Sequence, residues 1–79
     1  MADGERAAEP ARRLLAALSE REREVVTLIG QGLSNAEIGS ELHLSEATVK
    51  GYVSAVLGKI GAVNRVQAAL VAYRGGLIA

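Results

Sequence analysis

The 79-residue chain contains no cysteine, tryptophan or phenylalanine, and only one histidine, His43. Without cysteine there is neither a disulfide framework nor a thiolate metal site. One histidine alone cannot build a metal site of familiar geometry, so no metal or other cofactor is expected and His43 reads as a turn residue. Asp3 is the sole aspartate, and no nucleophile–base or paired-carboxylate arrangement is apparent, so an enzyme is not expected. No apolar run approaches the roughly 20 residues of a membrane span, and the N-terminus is too polar for a signal peptide. A soluble, cytoplasmic chain with no membrane partner is the expectation. The length allows one small domain.

The formal charge is zero, yet it is unevenly spread. Residues 1–44 carry five basic side chains (Arg6, Arg12, Arg13, Arg21 and Arg23) against eight acidic ones, a balance of −3. Residues 45–79 carry Lys50, Lys59, Arg65 and Arg74 against Glu46, a balance of +3. The local field, rather than the net charge, governs which partner approaches.

Residues 1–17 read as a linker or partly disordered leader, and 18–79 as the folded domain. Met1 to Pro10 lacks apolar periodicity. Pro10 suits a first helical position and would open a short extra helix over Ala11–Ala17. Four further helix starts follow from their caps. Ser19-Glu20-Arg21-Glu22 and Ser34-Asn35-Ala36-Glu37 match the capping box. Ser45 before Glu46 supplies a hydroxyl acceptor and then a negative charge at a helix N-terminus, and Asn64-Arg65-Val66-Gln67 repeats the box with glutamine. Glycines at 30, 32, 61, 75 and 76 mark the ends. The caps predict helices near 20–31, 35–42, 46–60 and 65–74; no segment alternates with period two, so the fold class is all-α.

Only His43-Leu44-Ser45 separates a short helix from a long one, the outline of a helix-turn-helix. Gly39, inside the shorter helix, costs about 1 kcal/mol relative to alanine, which close packing against the second helix would explain; an ordinary αα-hairpin with an incidental glycine is the other reading. The longer helix has two unlike faces. Val49, Val53, Val56 and Ile60 form one apolar stripe of period 3.6. Ala47, Lys50, Gly51, Ser54, Ala55 and Gly58 form a flank almost bare of side chain.

Several blocks now fall into one order: Leu18-Ser19-Glu20-Arg21-Glu22-Arg23-Glu24-Val25-Val26, Gly32-Leu33-Ser34-Asn35-Ala36-Glu37-Ile38, Leu44-Ser45-Glu46-Ala47-Thr48-Val49-Lys50, Lys59-Ile60-Gly61, Asn64 to Ala69, and Gly76-Leu77-Ile78. Together they resemble the LuxR-type DNA-binding domain, the effector module of NarL/FixJ response regulators and of quorum-sensing regulators. The resemblance spans about residues 18–78. It implies a four-helix domain whose third helix (46–60) enters the DNA major groove and whose fourth (65–74) pairs two copies across a two-fold axis. It also implies an N-terminal receiver-like or ligand-binding domain, from which residues 1–17 would be the linker, so the chain is expected to be an excised effector domain.

The residues supply physical reasons for that reading. Small side chains permit close approach of a helix backbone to a groove about 12 Å wide. Lys50, Gly51, Ser54 and Ala55 are therefore the expected base-readout positions, Lys50 reaching guanine O6 or N7. Ser34, Asn35, Ser45 and Thr48 at helix starts, with Tyr52 and Lys59, are the expected phosphate contacts. Ser34 and Ser45 serve equally as caps, Tyr52 as a packed aromatic, and Arg65 as a structural residue at the start of its helix. The family usually carries larger or more polar residues at 51, 55 and 58 and a histidine at 52. Base readout should accordingly be thin, with specificity leaning on DNA shape and half-site spacing. In the 65–74 helix, Ala68, Ala69 and Ala72 suit internal packing, leaving Val66, Leu70 and Tyr73 for a homodimer interface; the reverse assignment stays open. Two other functions are compatible with the sequence: a sigma region 4-like module docking on RNA polymerase, and a helical protein-interaction domain that has lost DNA binding.

Overall fold

The computed structural model describes the backbone of residues 2–79 and the side chains of residues 8–79. Five helices follow one another: α1 (Ala2–Ala16), α2 (Glu20–Gly30), α3 (Asn35–Leu42), α4 (Glu46–Ile60) and α5 (Arg65–Arg74). No strand occurs among the described residues. The fold is all-α, as expected.

Each predicted cap is in place. Ser19 and Ser34 accept hydrogen bonds from the backbone N–H groups of Glu22 and Glu37, and both glutamates return the bond to the capping serine's N–H. Ser45 accepts from the Thr48 N–H and Asn64 from the Gln67 N–H. Gln67 deviates from the expected box: its Oε1 accepts from the N–H of Val63, one residue before the cap. Caps are read correctly because they close within one helical turn.

The first helix differs from its expectation. It begins at Ala2 rather than Ala11, and Pro10 lies inside it. Lack of apolar periodicity in residues 1–10 speaks to burial and not to helicity; alanine, glutamate and arginine are all strong helix formers. Glu9 adds ion pairs one turn on, 2.9 Å to Arg12 and 3.5 Å to Arg13. Ala11 and Leu15 are buried, and Leu15 belongs to the central core.

That core gathers Leu15 and Leu18 with Val25, Val26 and Ile29 of α2, Ile38 of α3, the stripe Val49, Val53, Val56 and Ile60 of α4, and Ala68 and Ala72 of α5. Burial of each larger aliphatic side chain is worth roughly 1.5–3 kcal/mol, so the α4 stripe sets the roll of that helix and hence which residues face out. The C-terminal tail folds back over the bundle: a Cβ on Gly30 would stand 2.7 Å from Ile78 Cδ1.

Between α3 and α4, His43 adopts a left-handed conformation (φ 58°) and ends α3. The Leu44 N–H then bonds the Gly39 carbonyl at 2.8 Å. A Cβ on Gly39 would lie 2.6 Å from the Leu44 carbonyl oxygen and 3.5 Å from Val49 Cγ2. The glycine is required by close approach, but the main obstacle is the turn's own backbone, with α4 second.

Candidate nucleic-acid interface

With Val49, Val53, Val56 and Ile60 buried, the opposite side of α4 faces solvent: Ala47, Lys50, Gly51, Ser54, Ala55 and Gly58 are all exposed. A Cβ added at Gly51 or Gly58 would meet nothing within 4 Å. No packing inside the domain therefore calls for either glycine, although each costs about 1 kcal/mol of helix propensity. Among the described residues Lys50 makes no ion pair. The four expected base-readout positions thus lie on one open helix face.

The expected phosphate contacts have more divided surroundings. Ser34 and Ser45 both act as N-caps, and Ser45 Oγ also donates to Thr48 Oγ1 at 2.8 Å, tying these two exposed side chains together. Asn35, half-buried at the start of α3, accepts through Oδ1 a hydrogen bond from Arg65, whose other guanidinium nitrogen donates to the Leu33 carbonyl at 2.7 Å. Arg65 is accordingly structural, bracing α5 against the approach to α3. Tyr52 is half-buried and lines a shallow depression with Glu22, Thr48, Gly51 and Ala55.

Lys59 is not free. Its Nζ stands 2.8 Å from Oε1 of Glu22, whose side chain is only 8% exposed while that of Lys59 is 48% exposed. The same Oε1 accepts the Ser19 N–H. The Lys59 hydrogen bond first, and the Ser19 backbone bond second, hold the Glu22 carboxyl below its ordinary pKa. In Glu37, the Ser34 backbone N–H is the main cause of a similar lowering. Sequence reading missed the Glu22–Lys59 pair because 37 residues separate the partners.

On α5, Ala68 and Ala72 are completely buried and Ala69 half-buried, whereas Val66, Leu70 and Tyr73 are 71%, 43% and 59% exposed. This excludes the reverse assignment, in which the alanines face out. Val63, in the loop just before the Asn64 cap, is also exposed, at 78%. Among the described residues no cluster of histidine, cysteine or carboxylate side chains is arranged to hold a metal, and no single helix is long and apolar enough to cross a membrane.

Residues 16–72 match the family model described as bacterial regulatory proteins, luxR family. The transcriptional regulatory protein LnrK of Bacillus subtilis is 43% identical over 60 residues, 76% of this chain and 27% of that protein. The response regulator protein VraR of Staphylococcus aureus is 44% identical over 61 residues, 77% of this chain and 29% of VraR. The chain thus spans less than a third of the length of these relatives. The family match covers both halves of the helix-turn-helix and most of α5, the elements that present the bare face and the apolar patch, and on that ground the chain belongs to the luxR family of bacterial regulatory proteins.

Proposed function

We propose that this domain is the DNA-binding effector of a transcription regulator of the response-regulator type, with α4 lying in the major groove. The observation that carries the reading is the bare outward face of α4, where two glycines meet open space. A helix that forgoes about 2 kcal/mol of propensity on its solvent face gains nothing by solvation. It gains closeness to a groove floor.

Lys50 is the residue that reaches base edges, with Ser54 beside it and Gly51 and Ala55 admitting the backbone. Thr48 and Tyr52 adjoin this face, and with Ser34 and Ser45 at helix starts they position the duplex by phosphate contacts, which carry no sequence information. Asn35 keeps its amide N–H groups for a phosphate while Arg65 holds its carbonyl. Val66, Leu70 and Tyr73 pair two copies through α5 so that two half-sites are engaged together. The exposed apolar area on one short helix supports this role.

The test is a titration of the labelled domain with duplexes enriched from a random pool, following backbone amide resonances. Perturbations centred on residues 47–58 are expected. Perturbations that avoid α4 and gather elsewhere would reject the reading. In the same assay Lys50→Ala should weaken the enriched duplex more than a random one.

A further inference from the structure

Lys50 and Lys59 sit nine positions apart on α4, about two and a half turns, and so occupy opposite flanks of the bare face. Among the described residues Lys59, and not Lys50, pairs with a carboxylate. Glu22 is fixed from two sides, by the Ser19 N–H at the start of α2 and by the Lys59 ammonium on α4, both on Oε1. Among the described residues its Oε2 takes no hydrogen bond, and since none of their buried side-chain oxygens lacks a partner, Oε2 is not fully buried. Glu22 also lines the depression that Thr48, Gly51, Tyr52 and Ala55 form.

We infer that Glu22 is a specificity-determining residue: it withholds Lys59 from DNA phosphates and so lowers sequence-independent affinity. The inference rests on α4 being the groove helix. Non-specific binding comes almost entirely from Lys and Arg neutralising phosphates, and discrimination depends on the ratio of specific to non-specific binding. This chain has four cations in residues 45–79. Lys59 is bound to Glu22, and Arg65 to Asn35 and Leu33. Two of the four are thus spent inside the domain. A phosphate drawn toward Lys59 would face the Glu22 carboxylate paired with it, a like charge. With so few base-reading side chains on α4, a low non-specific background preserves selectivity where stronger base contacts are not on offer.

Glu22→Gln is the decisive variant, because glutamine retains the acceptor for the Ser19 N–H and the volume of the side chain while removing the charge. Binding of a short random-sequence duplex is measured by fluorescence anisotropy across a salt series for the unaltered domain, E22Q, K59A and the double variant. E22Q should bind roughly fivefold tighter near 0.1 M salt, with a log K–log salt slope steeper by about one unit. K59A alone should leave the slope unchanged, and K59A placed on E22Q should abolish the gain. A slope made shallower by about one unit in K59A alone would show Lys59 already on a phosphate and overturn the inference. So would an unmoved slope in an E22Q domain that melts normally. If E22Q melts early, K59A decides by itself. Unaltered domain that binds duplex while E22Q gains nothing removes this inference only; no binding of any duplex by any variant at low salt removes the DNA-binding reading and the inference with it.

Discussion

Arg65, at the first position of α5, donates an Nη1–H to Asn35 Oδ1 and an Nη2–H to the Leu33 carbonyl, 30 and 32 residues back along the chain. Arg65 is thereby the strut between the apolar patch of α5 and the start of α3. Hydrogen bonds from a charged donor are worth about 1.5–3 kcal/mol. Arg65→Ala should lower the unfolding free energy by about 2–3 kcal/mol in urea titration. Arg65→Lys should recover little of it, since a single ammonium does not reproduce a planar fork with two directed donors. Full recovery by lysine would mean that charge alone matters there.

The glycines of the helix-turn-helix should separate into two groups. Gly39→Ala places a Cβ 2.6 Å from the Leu44 carbonyl oxygen, a backbone atom with little room to yield. The overpacking cost of about 2–3 kcal/mol exceeds the propensity gain of about 1 kcal/mol, so this variant should be clearly destabilised. Gly51→Ala and Gly58→Ala meet open space and should each be about 1 kcal/mol more stable. Chemical denaturation of the three variants checks the difference in sign. A bulkier change, Gly51→Leu, should keep the fold while weakening duplex binding, because it holds α4 away from the groove floor.

Acid should destabilise the domain through two capping glutamates. Glu22 is held below its ordinary pKa of about 4.5 chiefly by Lys59, and Glu37 chiefly by the Ser34 N–H. A carboxyl with a depressed folded pKa contributes stability that is complete above the unfolded value. That stability disappears as pH falls through the folded value. Thermal unfolding followed from pH 7 to pH 3 should therefore lose these contributions below about pH 4.5. Glu22→Gln together with Glu37→Gln should flatten that part of the profile, and an unchanged profile would contradict the assignment.

The two faces of α5 should respond oppositely to substitution. Val66→Glu and Tyr73→Glu alter exposed positions and should change stability by no more than about 0.5 kcal/mol. They should nevertheless reduce self-association in sedimentation and cooperative binding to paired half-sites. Ala72→Leu forces extra methylenes into a completely buried position and should cost about 1–3 kcal/mol. Its association should change only as far as its folding does.

What the sequence determined by itself is local. Ser19, Ser34, Ser45 and Asn64 all cap the helices that follow them. A cap closes through bonds three residues away, whatever the rest of the chain does. The stripe Val49, Val53, Val56 and Ile60 was equally readable, since 3.6-residue periodicity alone selects a buried face. That burial alone turns Lys50, Gly51, Ser54 and Ala55 outward. Other features depended on how the helices pack as bodies. Lys59 and Asn35 carry the same chemistry in many possible arrangements; only the approach of α4 to α2, and of α5 to α3, brought Glu22 to one and Arg65 to the other. The choice between two plausible stripes on α5 was likewise settled by packing, because Ala68 and Ala72 allow a closeness to the core that Val66 and Tyr73 do not. One turn of helix is enough to place a cap, whereas a charge pair across 37 residues exists only after the hydrophobic core has fixed both backbones.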